Sequence, residues 1–155
     1  MGVGDLAPLF SLKTTAGRPV SLDDFLIESR ALLLFYPTTW KGCCGDRLGS
    51  DVLIGLTEQL SGLDTVPIAI VTDGSMSPKS FMKSLDIPYP IVIDHTVDTY
   101  VAYNAVVEGS RNPHRHTVIV GRDGRIHYSE WGSPAPERLL EILRNLDDEP
   151  VSIAV

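Results

Sequence analysis

One stretch limits what this chain can become. Ala31-Leu32-Leu33-Leu34-Phe35-Tyr36 is wholly apolar, Pro37 interrupts it, and Thr38-Thr39-Trp40-Lys41-Gly42 leads to Cys43 and Cys44, the two cysteines of the chain. An unbroken apolar run with aromatic residues at its end reads as a strand buried on both faces. Downstream, Leu48, Val52, Leu56 and Leu60 recur every four residues, the stripe of an amphipathic helix. The cysteines therefore fall where a central strand hands over to a helix N-terminus. Unsatisfied N–H groups and the positive end of the helix dipole favour an anion at such a place. A thiolate is one, so the position can lower a cysteine's pKa and make it a nucleophile at neutral pH.

Helical spacing separates the two thiols. Cys44 lies four residues before Leu48 and shares its core-facing stripe, whereas Cys43 precedes Arg47 and Asp51 on the opposite side. Adjacent helical residues do not face each other. Cys44 is thus the candidate nucleophile, and Cys43 a secondary thiol or a bystander. A bridge between them is disfavoured, because neighbouring Cα atoms lie about 3.8 Å apart and disulfides prefer roughly 4.4–6.8 Å. Reduced or transiently oxidised thiols fit the cytoplasm, the expected location.

The rest of the chain alternates strands and helices. A short strand is expected at 19–22, a buried one at 66–72, and a helix from Ser77 and Pro78 carrying Phe81, Met82 and Leu85 inward. Ile87-Pro88-Tyr89-Pro90 reads as a rigid connector into a strand at 91–93, followed by a short helix at 97–103. After a polar loop at 108–114, strands at 116–120 and 125–131 flank Asp123-Gly124, a hairpin signal. A last helix opens near Ser133 and places Leu139, Leu140, Ile142, Leu143 and Leu146 on one side. The expected architecture is α/β: a mixed central sheet with helices on both faces, the layout of a thioredoxin-like domain. Residues 1–150 read as a single domain and 151–155 as a loose tail.

With 155 residues, 43% of them hydrophobic, the chain can bury a full core. A net charge of −7 argues against a general nucleic-acid binder or an anionic-membrane binder. No apolar run approaches a bilayer span, and residues 1–12 lack the pattern of a secretory signal. No cofactor or metal is expected. His114 and His116 alternate on a strand and read as a solvent-facing pair. Gly45 and Gly49 lack the Lys-Ser/Thr of a phosphate loop.

Several segments, taken in order, resemble the peroxiredoxin family (alkyl hydroperoxide reductase and thiol-specific antioxidant proteins). Pro37-x-x-x-Lys41-x-x-Cys44 is similar to its active-site pattern of proline, threonine or serine, and peroxidatic cysteine. Gly4-x-x-Ala7-Pro8-x-Phe10-x-Leu12 with Val20-Ser21-Leu22, Ile87-Pro88-Tyr89-Pro90-Ile91 with Asp94 and Ala102-Tyr103, and Arg115-His116-Thr117-Val118-Ile119-Val120 before Asp123-Gly124 match in the same order. The resemblance implies a thiol peroxidase. Cys44 would attack the peroxide and become a sulfenic acid. Arg115 would hold the thiolate and polarise the peroxide, and Pro37 would shield the sulfur.

Lys41 departs from the pattern: the family's hydroxyl donates and accepts, an ammonium only donates. Gly42 and Arg47 depart as well, where a proline and a glutamate are frequent. With no third cysteine, the oxidised sulfur would be reduced by an external thiol, either a thioredoxin-like protein or a small thiol; Cys43 or another subunit's cysteine are the alternatives. Family members often form homodimers through a sheet edge or a loop face, and the sequence selects neither. Two other readings stand beside this one. A thioredoxin-type reductase would need a cysteine where Lys41 sits. A redox-sensing or binding domain with little turnover would accommodate Lys41 and the paired thiols.

Overall fold

The structure is a computed structural model and describes residues 2–14, 17–36, 50–72, 89–132 and 134–148. Its centre is the strand β3, Arg30–Phe35, which is buried along its whole length. Burying each of Leu32, Leu33, Leu34 and Phe35 contributes about 1.5–3 kcal/mol. β3 pairs in parallel with β4, Thr65–Val71, and antiparallel with β6, His116–Val120. The sheet continues from β4 to β5, Ile91–Ile93, then to β1, Ser11–Thr14, and β2, Pro19–Ser21. On the other side β6 pairs with β7, Ile126–Trp131. The order β2-β1-β5-β4-β3-β6-β7 mixes parallel and antiparallel pairs, as the alternation of elements predicts.

Pro67 falls inside β4 without breaking it. The N–H of Ala69 points toward β5, donating to the Pro90 carbonyl at 3.0 Å. With a strand period of two, Pro67 points the same way, yet β5 pairs only from Ala69 onward. Its missing N–H therefore faces no partner strand, as in an edge position.

Helices cover both faces among the described residues. Against one face lie α2, Ser50–Gly62, through Leu56 and Leu60, and α4, Pro136–Asp148, through Leu139, Leu140 and Leu143. They meet Leu32, Leu34 and Tyr36 there. Against the other face lie α1, Leu22–Leu26, and α3, Asp98–Ala102, with Ala31, Leu33 and Phe35 beneath them.

Three local features depart from or add to the expected layout. The strand expected at 19–22 stops at Ser21, and α1 begins at once, with Asp23 and Asp24 at the positive end of its dipole and Leu22 and Leu26 buried four apart. The opening segment contributes β1, whose partners Ile93 and Val92 lie far along the chain. The polar loop closes as a small hairpin, with a Val106–Pro113 bridge and Val107 N–H donating to Asn112 O at 2.8 Å. Leu48, the helix expected from Ser77 and the tail 151–155 lie outside the described residues.

Candidate active site

The C-terminal end of β3 is where the chain leaves toward the cysteines. Pro37, Lys41, Cys43 and Cys44 lie outside the described residues. Arg115 and the frame around it are described.

Arg115 stands one residue before β6. Because Phe35 pairs with His116 in an antiparallel register, Arg115 falls beside Tyr36, the residue preceding Pro37. Its guanidinium lies over the Tyr36 ring, 5.2 Å from the centroid. A cation over an aromatic face is attracted by the ring quadrupole. Burial pulls the Arg115 pKa down and the Tyr36 phenol opposes this, yet a guanidinium stays charged throughout the folded range. Burial also raises the Tyr36 phenol, with Tyr89 adding to it, so the ring stays neutral under the cation.

The backbone of Arg115 is held from two sides. Its carbonyl accepts the Gly132 N–H at 2.9 Å. Nδ1 of His114 lies 2.7 Å from the same oxygen, which requires the proton on Nδ1, since a carbonyl only accepts. The His114 ring stacks at a tilt on Trp131, centroids 4.2 Å apart.

His116 does not face solvent, contrary to expectation. It is 3% exposed, and Nε2 lies 2.8 Å from the Ser129 hydroxyl. In cross-strand register it stands between Phe35 and Trp131 on the face opposite Tyr36 and Arg115. Burial, with His114 adding to it and Glu130 opposing, drops its pKa to about 4. It is therefore neutral at pH 7.

One residue of the frame, Tyr100, was not singled out by the sequence, and Asp94 and Tyr103 were named there without a role. Tyr100, fully buried in α3, places its hydroxyl 2.5 Å from the Tyr36 carbonyl and 2.8 Å from the Ile70 carbonyl, so one O–H donates where the β3–β4 ladder ends. Burial, then Asp94, pushes this phenol well above its ordinary value, so it remains a donor. Its ring meets Phe35 edge-on at 5.0 Å. Asp94, 2% exposed, accepts the backbone N–H groups of Thr99 at 2.8 Å and Tyr100 at 3.3 Å, anchoring the first turn of α3. A second buried phenol, Tyr103, donates to the Pro8 carbonyl at 2.6 Å. That bond joins two segments the sequence set apart, Ala7-Pro8 and Ala102-Tyr103. Tyr36 carries a legible signal, since an apolar segment that ends in a polar aromatic has a hydroxyl to satisfy; Tyr100, set between Asp98-Thr99 and Val101-Ala102, carries none.

A groove of about 800 Å³ opens between Val101, the 104–111 segment and Trp131. Among its described lining residues neither Tyr36 nor Arg115 appears. No group of three His, Cys, Asp or Glu side chains that could hold a metal ion occurs among the described residues, and no described helix is long and apolar enough to cross a membrane.

Three comparisons bear on this arrangement. A family profile described as AhpC/TSA matches residues 3–129. A Coxiella burnetii protein named "Putative peroxiredoxin bcp" is 30% identical over 110 residues, 70% of this chain and 70% of its own length. The peroxidoxin BcpB structure from Mycobacterium tuberculosis aligns over 94% of this chain and 98% of its own, with TM-score 0.78 and 20% identity. The reduced 2-Cys peroxiredoxin of Plasmodium vivax aligns over 95% and 97%, with TM-score 0.77 and 16% identity. At those identities the two structures speak for the fold.

Proposed function

The chain belongs to the AhpC/TSA family and is a peroxiredoxin-type thiol peroxidase, and from that premise we propose that Cys44 is the sulfur that reduces the peroxide. The observation that carries this assignment is positional. The Arg115 guanidinium rests on Tyr36, at the strand end from which the chain passes through Pro37 to Cys44.

The Cys44 thiolate attacks the terminal oxygen of hydrogen peroxide or an organic hydroperoxide. An S–O bond forms as the O–O bond breaks, and the leaving oxygen takes a proton to depart as water or alcohol. The fixed donors of Arg115 stabilise the thiolate and the charge developing on the peroxide oxygens. Pro37 shields the sulfur. Lys41 supplies a positive charge that lowers the thiol pKa but cannot accept a hydrogen bond from the peroxide.

The resulting sulfenic acid is reduced by the one-cysteine route. An external thiol displaces water to form a mixed disulfide, and a second thiol releases Cys44 as the external disulfide forms. The reductant is a thioredoxin-like protein or a small thiol, and the reducing cytoplasm supplies it. Cys43 is the secondary thiol, disfavoured as a partner by the short Cα separation of neighbours.

Peroxide consumption by the purified protein with an excess of dithiol tests the assignment. The expected result is turnover in the wild type, its loss in Cys44→Ser and its retention in Cys43→Ser. Equal turnover in both variants removes Cys44 from the role. Lys41, standing where the family pattern carries threonine or serine, favours a second reading: a redox-sensing domain with little turnover. A single stoichiometric oxidation of Cys44 without further consumption would establish that one instead.

A further inference from the structure

Tyr100 touches both halves of the frame just described. Its hydroxyl lies between the Tyr36 and Ile70 carbonyls. Ile70 O also accepts the Tyr36 N–H at 3.0 Å, so both backbone groups of Tyr36 are held at this one point. Through its own carbonyl Tyr100 reaches the other half. Tyr100 O accepts the Ala105 N–H at 2.7 Å, and Ala105 O accepts the N–H of His114, the neighbour of Arg115, at 2.8 Å. The ends of β3 and β4 and the approach to Arg115 thus converge on one side chain and its peptide.

Without the hydroxyl, the Tyr36 carbonyl loses the Tyr100 donor at the end of the ladder, and the strand end gains freedom. The Tyr36 ring carries the guanidinium, so that freedom passes to Arg115.

We propose that Tyr100 is a positioning residue for the peroxide reaction, its hydroxyl fixing the end of β3 so that the Tyr36 ring holds the Arg115 guanidinium in place. This rests on the reading that Arg115 serves Cys44.

Tyr103 provides a matched control. It too is a buried phenol whose ring meets Phe35, at 5.4 Å, but its hydroxyl donates to the Pro8 carbonyl instead of the Tyr36 and Ile70 carbonyls. Two readouts are compared in a Cys43→Ser background: kcat/KM for hydrogen peroxide and the pH midpoint of Cys44 alkylation. Tyr100→Phe is expected to lower kcat/KM on the order of tenfold, as small misplacements of reacting groups do, and to raise the alkylation midpoint. Tyr103→Phe is expected to change neither. In an Arg115→Leu background Tyr100→Phe is expected to have no further effect, because residues acting through one another are not additive. Tyr36→Leu, which removes the ring beneath the cation, is expected to raise the midpoint in the same way and serves if Tyr100→Phe does not fold.

The inference is overturned if Tyr100→Phe leaves both readouts unchanged, if Tyr103→Phe matches it, or if its effect persists undiminished without Arg115. If instead the wild type consumes no peroxide, or Arg115→Leu equals it, the reading of Arg115 fails and this inference falls with it.

Discussion

His116 shows what one side chain can encode. Its pKa is about 4 in the folded chain, held down chiefly by burial, against about 6.5 when exposed in the unfolded chain. Between those values the unfolded chain binds the proton that the folded chain refuses, so stability rises with pH across the window. The contribution is fully present above pH 6.5 and is lost as pH falls toward 4, by up to about 3 kcal/mol. His116→Gln is expected to flatten the pH dependence of urea unfolding over that window. An unchanged slope between pH 6.5 and 4 would refute it. Arg115, its neighbour, faces the other side of the sheet and keeps its charge. Adjacent positions at the start of β6 thus hold a charged and a neutral base, and the alternation of side chains decides which is which.

Among the elements, α3 leans on one group outside itself. Val97, just before it, takes a left-handed backbone (φ 66), costly for a β-branched residue. Asp94 supplies the acceptors its first turn needs, for Thr99 and Tyr100. Asp94→Ala leaves two buried N–H groups without an acceptor, at about 1–3 kcal/mol. The urea midpoint is expected to fall with the slope of the transition unchanged, and Asp94→Asn, which keeps a carbonyl, to fall less. Equal stability of the alanine variant and the wild type would show that the turn holds by itself. Element type was legible wherever a pattern ran long, as in the apolar run of β3 and the leucines of α4. It was not legible for β1 and α1, whose four or five residues give too short a period to read; β5, shorter still, was legible because the rigid connector Ile87-Pro88-Tyr89-Pro90 leads into it.

At the scale of the whole molecule, the N-terminal segment does more than open the chain. Gly4 N–H donates to Ile126 O at 2.8 Å, Ile126 N–H to Asp5 O at 2.9 Å, and Ala7 N–H to Gly124 O at 2.8 Å. These bonds cover part of the outer edge of β7, the terminal strand of the sheet on that side. An exposed edge invites pairing with another chain. Deleting residues 1–7 is expected to make the sedimentation coefficient rise with concentration more steeply than it does for the full chain. Identical behaviour of the two would show that β7 needs no cover. The interior is braced separately by Arg30, 7% exposed, whose guanidinium donates to Leu63 O at 2.7 Å, just past α2, and to Leu143 O of α4 at 3.4 Å.

Burial pattern and local chemistry belong to the chain as written. An unbroken apolar run must be covered on both faces, a leucine stripe must find a core, and an Asp-Gly pair turns a hairpin whatever surrounds it. Those facts alone determined the mixed sheet with helices on both sides, and the order of motifs determined the family. Which distant residues meet was decided only by the tertiary structure. Tyr36 and Arg115 are 79 positions apart in the sequence (115 − 36) and become neighbours through the register of β3 on β6. Tyr100 reaches the end of β3 because α3 packs across it. No local propensity specifies such a meeting, since it depends on the relative placement of whole strands.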